Sequence, residues 1–291
     1  MTESIKIKDK AKSNYTPYRG VFYNILQIGS GGTGGYLAQH ISQLIGVSKS
    51  QAKYVIADPD IIEEKNLGNQ LFLEEEVGLK KADVLAARYS HAYDLRIGTY
   101  SEKYIESTKD IENLFSSEYY QYPYNQMRVK ILIGAVDNNY SRKIMHQYFM
   151  ENKPCIYIDA GNEAPKMPSD WMNRPKNEWT QNEIEEFNAS GWTGQVVTGV
   201  NFNLFKQDPV AKVFPDILED TDELRPSELS CTDLTASEPQ RLIVNKFAAM
   251  AITSILTEII EEDTISSHMT VFHAKKNNMR CIPIKNSNYT W

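Results

Sequence analysis

Cysteine is scarce in this 291-residue chain: there are 3, Cys155, Cys231 and Cys281. An odd, widely spaced set excludes a disulfide framework, and without a Cys-x-x-Cys pair a structural zinc site lacks its usual ligands. Positive charge is also short, with 31 Lys and Arg against 38 Asp and Glu and a formal net charge of −7. That balance argues against a general nucleic-acid binder and against a protein of anionic membrane surfaces, because both partners demand a basic face. No unbroken run of about 18 apolar residues occurs, so no membrane span is expected. Residues 1–20 are polar, mixed in charge, and without the apolar centre of a secretory signal. Internal repeats and low-complexity tracts are missing as well. Together these absences lead to the expectation of a cytoplasmic protein.

What is present is an ordinary globular composition, 41% hydrophobic and 24% charged, at a length that suits one large domain. Residues 1–20 read as a loose arm and residues 21–291 as a single domain. Asn24–Ile28 and Tyr54–Ala57 read as short buried strands. Between them Leu37, Ile41, Leu44 and Ile45 fall on one helical face. Strand, helix and strand in this order form a βαβ unit and so a parallel sheet. Val77–Tyr89 and Ser141–Met150 read as further helices, and Val129–Val136 and Cys155–Ile158 as further strands. Residues 163–194, rich in Pro, Asn and Trp, read as a long surface loop with a short helix near Asn182. Gln195–Val200 reads as a strand, Pro239–Glu262 as a long helix, and Thr270–His273 with Ile282–Ile284 as a terminal hairpin. Phe247–Ile259 is apolar or small at nearly every position, as in a helix that is buried or lies in an interface.

Gly29, Gly31 and Gly34 spell G-x-G-x-x-G, with Gly32 and Gly35 alongside, between the first strand and its helix. Glycine lets the backbone turn tightly and approach phosphate oxygens, which the N–H groups of a helix N-terminus then hold. Asp58 or Asp60, ending the next strand, is placed for a ribose hydroxyl. The loop and acid by themselves suit ATP and NAD equally.

The residues that follow separate the two. Asp58-Pro59-Asp60 leads into Asn66-Leu67-Gly68-Asn69-Gln70 and then Gly78-Leu79-Lys80-Lys81, and Asp137 and Arg142 follow a later strand. This order resembles the ThiF/MoeB family, which includes the activating enzymes of ubiquitin and its relatives. Tyr15–Gly20, Asp159–Asn162, Gly194–Val197, Ser230-Cys231 and Trp291 are similar to the ThiF-like proteins of the PRTRC gene system.

The resemblance implies a Rossmann-like α/β fold: a mostly parallel sheet with helices on both faces, extended by a C-terminal antiparallel portion. It also implies adenylation, by ATP and Mg²⁺, of the C-terminal carboxylate of a small ubiquitin-like or sulfur-carrier protein, within a homodimer. By position, Lys81 would face the phosphates, Asn66 and Gln70 would donate to phosphate or ribose, and Asp137 would hold Mg²⁺. Arg19 would reach a γ-phosphate, in its own subunit or a partner's. Cys231 is the candidate acceptor of the acyl group. Arg142 is expected in a structural ion pair. One departure stands out: Asn69 occupies the place of the family's arginine, so a phosphate-matched cationic fork is lost. It leaves open whether Arg19, Lys65 or Lys80 substitutes, or whether the chain is a weakened nucleotide-binding module. An NAD(P)-dependent oxidoreductase is the remaining alternative. The 163–194 loop is the candidate guide for the carrier's tail.

Overall fold

The structure, a computed structural model, describes residues 4–12, 18–48, 52–116, 125–220 and 240–285. The chain opens with β1 (Ile5–Lys6) and α1 (Ile7–Ala11), then runs through β2 (Gly20–Ile28), α2 (Gly32–Ser48) and β3 (Ala52–Ala57). Next come α3 (Lys81–Tyr93), β4 (Ile97–Tyr100), α4 (Thr108–Ser116), β5 (Gln126–Gly134), α5 (Asn139–Glu151) and β6 (Cys155–Asn162). They are followed by α6 (Gln181–Ala189), β7 (Thr193–Asn201), β8 (Lys206–Gln207), α7 (Val210–Val213) and α8 (Asp216–Glu219). The long helix α9 (Leu242–Glu262) precedes β9 (Thr264–Ile265), β10 (Ser267–His273) and β11 (Asn278–Pro283).

The main sheet has the order β11-β10-β7-β6-β5-β2-β3-β4, with β8 beside β7. From β6 to β4 all pairings are parallel. From β6 through β7 and β10 to β11 they are antiparallel. Strand alternation sorts the core into two layers. Ile25, Ile131 and Ile133 point toward α2, α3 and α9, whereas Leu26 and Leu132 point toward α4 and α5. The chain proceeds one way from β2 to β4 and the other way from β5 to β6. The reversal between β2 and β5 opens a crevice beyond their C-terminal ends, where open α/β sheets bind ligands.

Several boundaries differ from the sequence reading. Residues 5–11, expected within a loose arm, are packed: Ile5, Ile7 and Ala11 are buried, and β1 pairs with β9. The segment is too short to show a period, so its burial was not legible. β4 and α4 were not anticipated. α3 begins at Lys81 rather than Val77. Within residues 163–194 the chain is ordered into a 3₁₀ turn (Lys176–Glu178) and α6. Thr180 and Glu183 form a reciprocal capping box at the start of α6. The terminal hairpin is longer at both strands than expected. α9 begins at Leu242, and Pro239, its expected first residue, lies outside the described residues.

α9 has the length and composition of a membrane-crossing helix, with mean hydropathy 1.5 over its most apolar window, yet 61% of that window is buried. Val244, Ala248, Ile252, Ile255 and Ile259 pack into the core it shares with α2 and the sheet. Much of its apolar character is thus satisfied within its own chain, while Leu242, Ile243 and Met250 remain exposed.

Candidate nucleotide site

β2 ends at Ile28, and the glycine loop turns into α2. Gly29 takes φ +96°, and a Cβ there would stand 2.4 Å from the Ala135 carbonyl oxygen. A Cβ on Gly34 would stand 2.2 Å from the Gly29 carbonyl oxygen. Only hydrogen fits at either place, so the loop is closed on itself and against the end of β5. Gln27, which sequence reasoning passed over as a core strand residue, locks it. Its Nε2 donates to the carbonyls of Gly29 (2.8 Å) and Gly34 (2.9 Å), and its Oε1 accepts from the Tyr54 hydroxyl (2.7 Å). Gly31 has open space, with the Gln70 amide 3.8 Å from where a Cβ would sit, so the side chain of Gln70 lies over the loop.

Asp58 Oδ2 accepts from the Ser30 N–H (2.6 Å) and hydroxyl (2.8 Å), and its Oδ1 accepts from the Asp60 N–H (2.9 Å). In this structure it braces the loop. Burial pushes its carboxyl up, the Asp60 charge adds to that, and Lys81 opposes it. Asp60 receives the Lys81 ammonium at 3.0 Å and the Tyr104 hydroxyl at 2.6 Å. Burial works to raise Asp60, but those two partners outweigh it and hold the carboxyl below its usual range. Lys81 is itself buried, its charge aimed into the crevice side of α3.

Asn66 Oδ1 accepts from the Glu63 N–H at 2.9 Å and so stabilises the turn that carries Asn69 and Gln70. Asn69 Oδ1 and Gln70 Oε1 are buried without a hydrogen-bond partner. Unpaired buried acceptors cost stability unless a ligand or water satisfies them, and here two lie beside a phosphate-type loop. Of the cations expected to replace the missing arginine, Lys65 pairs with Glu63 at 2.6 Å. Lys80 donates to the Pro59 carbonyl, within the field of Asp60.

Arg19 is the clearest correction. It precedes Gly20 at the N-terminal end of β2, whereas the glycine loop follows Ile28 at the other end. At ~3.3 Å per residue the strand separates them by about 26 Å. Arg19 therefore does not serve the nucleotide loop of its own chain.

Asp137 follows β5 at the crevice mouth. The helix after it is capped by Asn138, whose Oδ1 accepts from the Ser141 N–H at 2.8 Å, so Asp137 is not needed as a cap. Its carboxylate is exposed and makes no ion pair among the described residues. Its charge is felt at Tyr104 and at Arg142, which sets it on the same rim as Asp60. Arg142 is in the ion pair expected of it. Its Nε donates to Asp159 at 3.0 Å and its Nη2 to the carbonyls of Val136 (2.7 Å) and Ala160 (3.0 Å). Burial pushes the Asp159 carboxyl up against the pull of that guanidinium.

The other face of the loop meets α9. A Cβ on Gly32 would stand 2.2 Å from the Asn245 amide nitrogen, so the absence of a side chain here makes room for Asn245. Asn245 Oδ1 accepts from the Thr33 hydroxyl (3.0 Å) and from Asn162 Nδ2 (2.9 Å). No sequence motif announced this cluster, because its members lie 83 to 212 residues apart. Cys155 is fully buried, and burial pushes its thiol up to about 12, as suits an inert core residue. Cys281 is exposed on β11. Cys231 lies outside the described residues. Among the described residues no group of three or more His, Cys, Asp or Glu side chains is arranged to hold a metal. A divalent ion would have to share Asp137 with ligand oxygens, a donor set that suits a hard cation.

Among curated proteins none matches the chain by sequence. Solved structures with a similar fold include selenomethionine PaaA, at 13% identity and TM-score 0.54 over 90% of this chain and 64% of that one. Escherichia coli MccB with ATP aligns at 15% identity and TM-score 0.53 over 91% and 64%. The same protein with selenomethionine MccA aligns at 13% and 0.54 over 92% and 65%. The chain thus spans a little under two thirds of the length of these proteins, and at such identities the likeness is one of fold. The sequence profile of the ThiF family, in contrast, matches residues 21–290, and the chain belongs to that family.

Proposed function

We propose that the crevice between β2 and β5 binds ATP and that the chain adenylates a carboxylate of a polypeptide partner. The observation that carries this reading is the pairing of a closed glycine loop with a buried Lys81 and an exposed Asp137 on one rim. Solved relatives of similar fold hold ATP, or the partner MccA, in MccB. In the reaction a carboxylate oxygen attacks the α-phosphorus, the bond from that phosphorus to its bridging oxygen breaks, and pyrophosphate leaves. No protein nucleophile is required. What the protein supplies is position and charge neutralisation. Two anions must approach each other, and Lys81, released from Asp60 toward the phosphates, lowers that repulsion. The backbone N–H groups at the start of α2 hold phosphate oxygens, and Gln70 closes over them. A magnesium ion at Asp137, when bound, would neutralise further phosphate charge.

The finer reading names a small ubiquitin-like or sulfur-carrier protein as the partner, a cytoplasmic location, and a homodimer in which Arg19 of one subunit serves the nucleotide of the other. Its support is the order of Asn66, Gln70, Lys81 and Asp137 along the chain, and the PRTRC-like segments bear on the subgroup. Transfer of the acyl group to Cys231 extends it. The test is calorimetry with ATP, followed by ATP–pyrophosphate exchange with a confirmed carrier. Lys81→Ala should weaken ATP by about 10- to 100-fold, the range for losing a charge-assisted contact. Tight NAD binding without ATP binding would overturn the proposal.

A weakened module is the second reading, favoured by the unpartnered Asn69 Oδ1 where a cation would serve phosphate. If Asn69→Arg leaves the exchange rate unchanged, that reading loses its support. Light scattering tests the homodimer.

A further inference from the structure

The segment between β6 and β7 encloses a cleft of about 420 Å³ whose lining includes Met167, Trp171, Trp179 and Phe187, with Lys176 and Arg241 at its edge. Arg174, which also lines it, is neutralised between Asp170 and Glu183. Lys176 and Arg241 are not. Neither forms an ion pair among the described residues, and both are held by rings instead. The Lys176 ammonium stands 4.0 Å from the Phe187 centroid, and the Arg241 guanidinium 4.5 Å from Phe187 and 3.8 Å from Trp192. Arg241 is fixed by the carbonyls of Ser190 (3.1 Å) and Phe187. The nearby Glu163 carboxylate accepts from the Thr193 hydroxyl at 2.8 Å. In a chain of net charge −7, an aromatic cleft edged by Lys176, and by Arg241 within the field of Glu163, is complementary to an acidic segment carrying an apolar anchor.

A chain of side-chain contacts links the cleft to the nucleotide loop. Gln240 lines the cleft and accepts from Asn162 Nδ2 at 3.4 Å. Asn162 in turn reaches Thr33 and Asn245, and Asn245 covers Gly32. Asn162 Oδ1 is buried without a partner, as an acceptor kept for the N–H of an incoming chain would be.

We propose that this cleft binds the tail of the polypeptide substrate: an extended segment with an acidic residue beside an aromatic or large aliphatic one. Asn162 and Asn245 then line its way to the glycine loop. The proposal rests on the adenylation reading and supplies the chemistry of the substrate that reading leaves general.

The test is fluorescence anisotropy on the full chain with two labelled peptides. One is a short run of aspartate and serine with a central phenylalanine and a free C-terminal carboxylate. The other has lysine in place of aspartate. The acidic peptide should bind at least about tenfold tighter, and Lys176→Glu should remove that preference, as expected for loss of a ring-stacked cation. Lys176 is exposed, so this variant keeps its fold; Arg241→Ala should act in the same direction. Equal affinity for the two peptides, or a preference that survives Lys176→Glu, overturns the proposal. ATP calorimetry on the same variants separates the two readings, because Lys176→Glu should leave ATP binding unchanged whereas failure of the nucleotide site would appear there in the wild-type chain.

Discussion

The parallel and antiparallel halves of the sheet are held in different ways. At the C-terminal ends of β2, β3 and β5 the braces are buried: Gln27 on the loop carbonyls, Asp58 on Ser30, and Arg142 on Asp159. Around the segment between β6 and β7 they are exposed, with Arg174 bridging Asp170 and Glu183 and cations lying on ring faces. Buried polar groups must be satisfied by partners in fixed geometry, so the first half holds one shape. Surface pairs add little and are screened, so the exposed braces of residues 163–194 hold that segment less tightly, although β7 beside it is fixed by Asn201 on the Phe149 carbonyl.

The comparison is broken most severely at the junction of the halves. Arg142→Met should cost about 3–5 kcal/mol in urea unfolding, because Asp159 would remain buried with its charge uncompensated. Next come two glycines of the same loop. Gly34→Ala drives a Cβ into the Gly29 carbonyl and should cost about 1–3 kcal/mol of stability together with ATP binding. Gly31→Ala meets only ordinary contacts, so stability should hold while ATP affinity falls. Equal destabilisation by the two would refute the division of labour among the glycines.

A smaller effect sharpens the other half. The Glu183 carboxyl is held down to about 2, first by Arg174 and then by the Thr180 cap. Its stabilisation of α6 is full above the ordinary value near 4.3 and is lost as pH falls through about 2. Amide exchange in α6 should accelerate over that window, and Arg174→Ala should produce the same loosening at neutral pH without moving the global unfolding curve. Least of all should Cys155 respond. With its thiol at about 12, roughly one molecule in ten thousand is thiolate at pH 8. Iodoacetamide should therefore label Cys281 and leave Cys155 intact, as read by peptide mass.

Apart from β4, the strands of the parallel half were legible in advance because their signals are local. A strand of apolar residues, a glycine run and a helical stripe adjoin one another in sequence, and Asn66, Lys81 and Asp137 fall at family spacing. Less could be read of what each residue touches. Asp58 or Asp60 was read as placed for a ribose, and nothing local shows that Asp58 also braces Ser30. Arg19 was assigned by resemblance to a γ-phosphate of its own subunit or a partner's, and the strand between it and the loop rules out its own. The apolar α9 read as buried or in an interface, and the structure packs much of it against α2 and the sheet.

By itself, then, the sequence determined the βαβ order, the phosphate-type loop and the set of polar residues gathered along one sheet edge, because periodicity and short motifs are properties of neighbouring residues. Only the tertiary structure decided which glycine Asn245 covers, where Arg19 stands, and how an aromatic cleft edged by Lys176 and Arg241 comes to be linked through Gln240 and Asn162 to that loop. Those are contacts between residues far apart in the chain. Burial and hydrogen-bond satisfaction, which select them, exist only once the layers have closed.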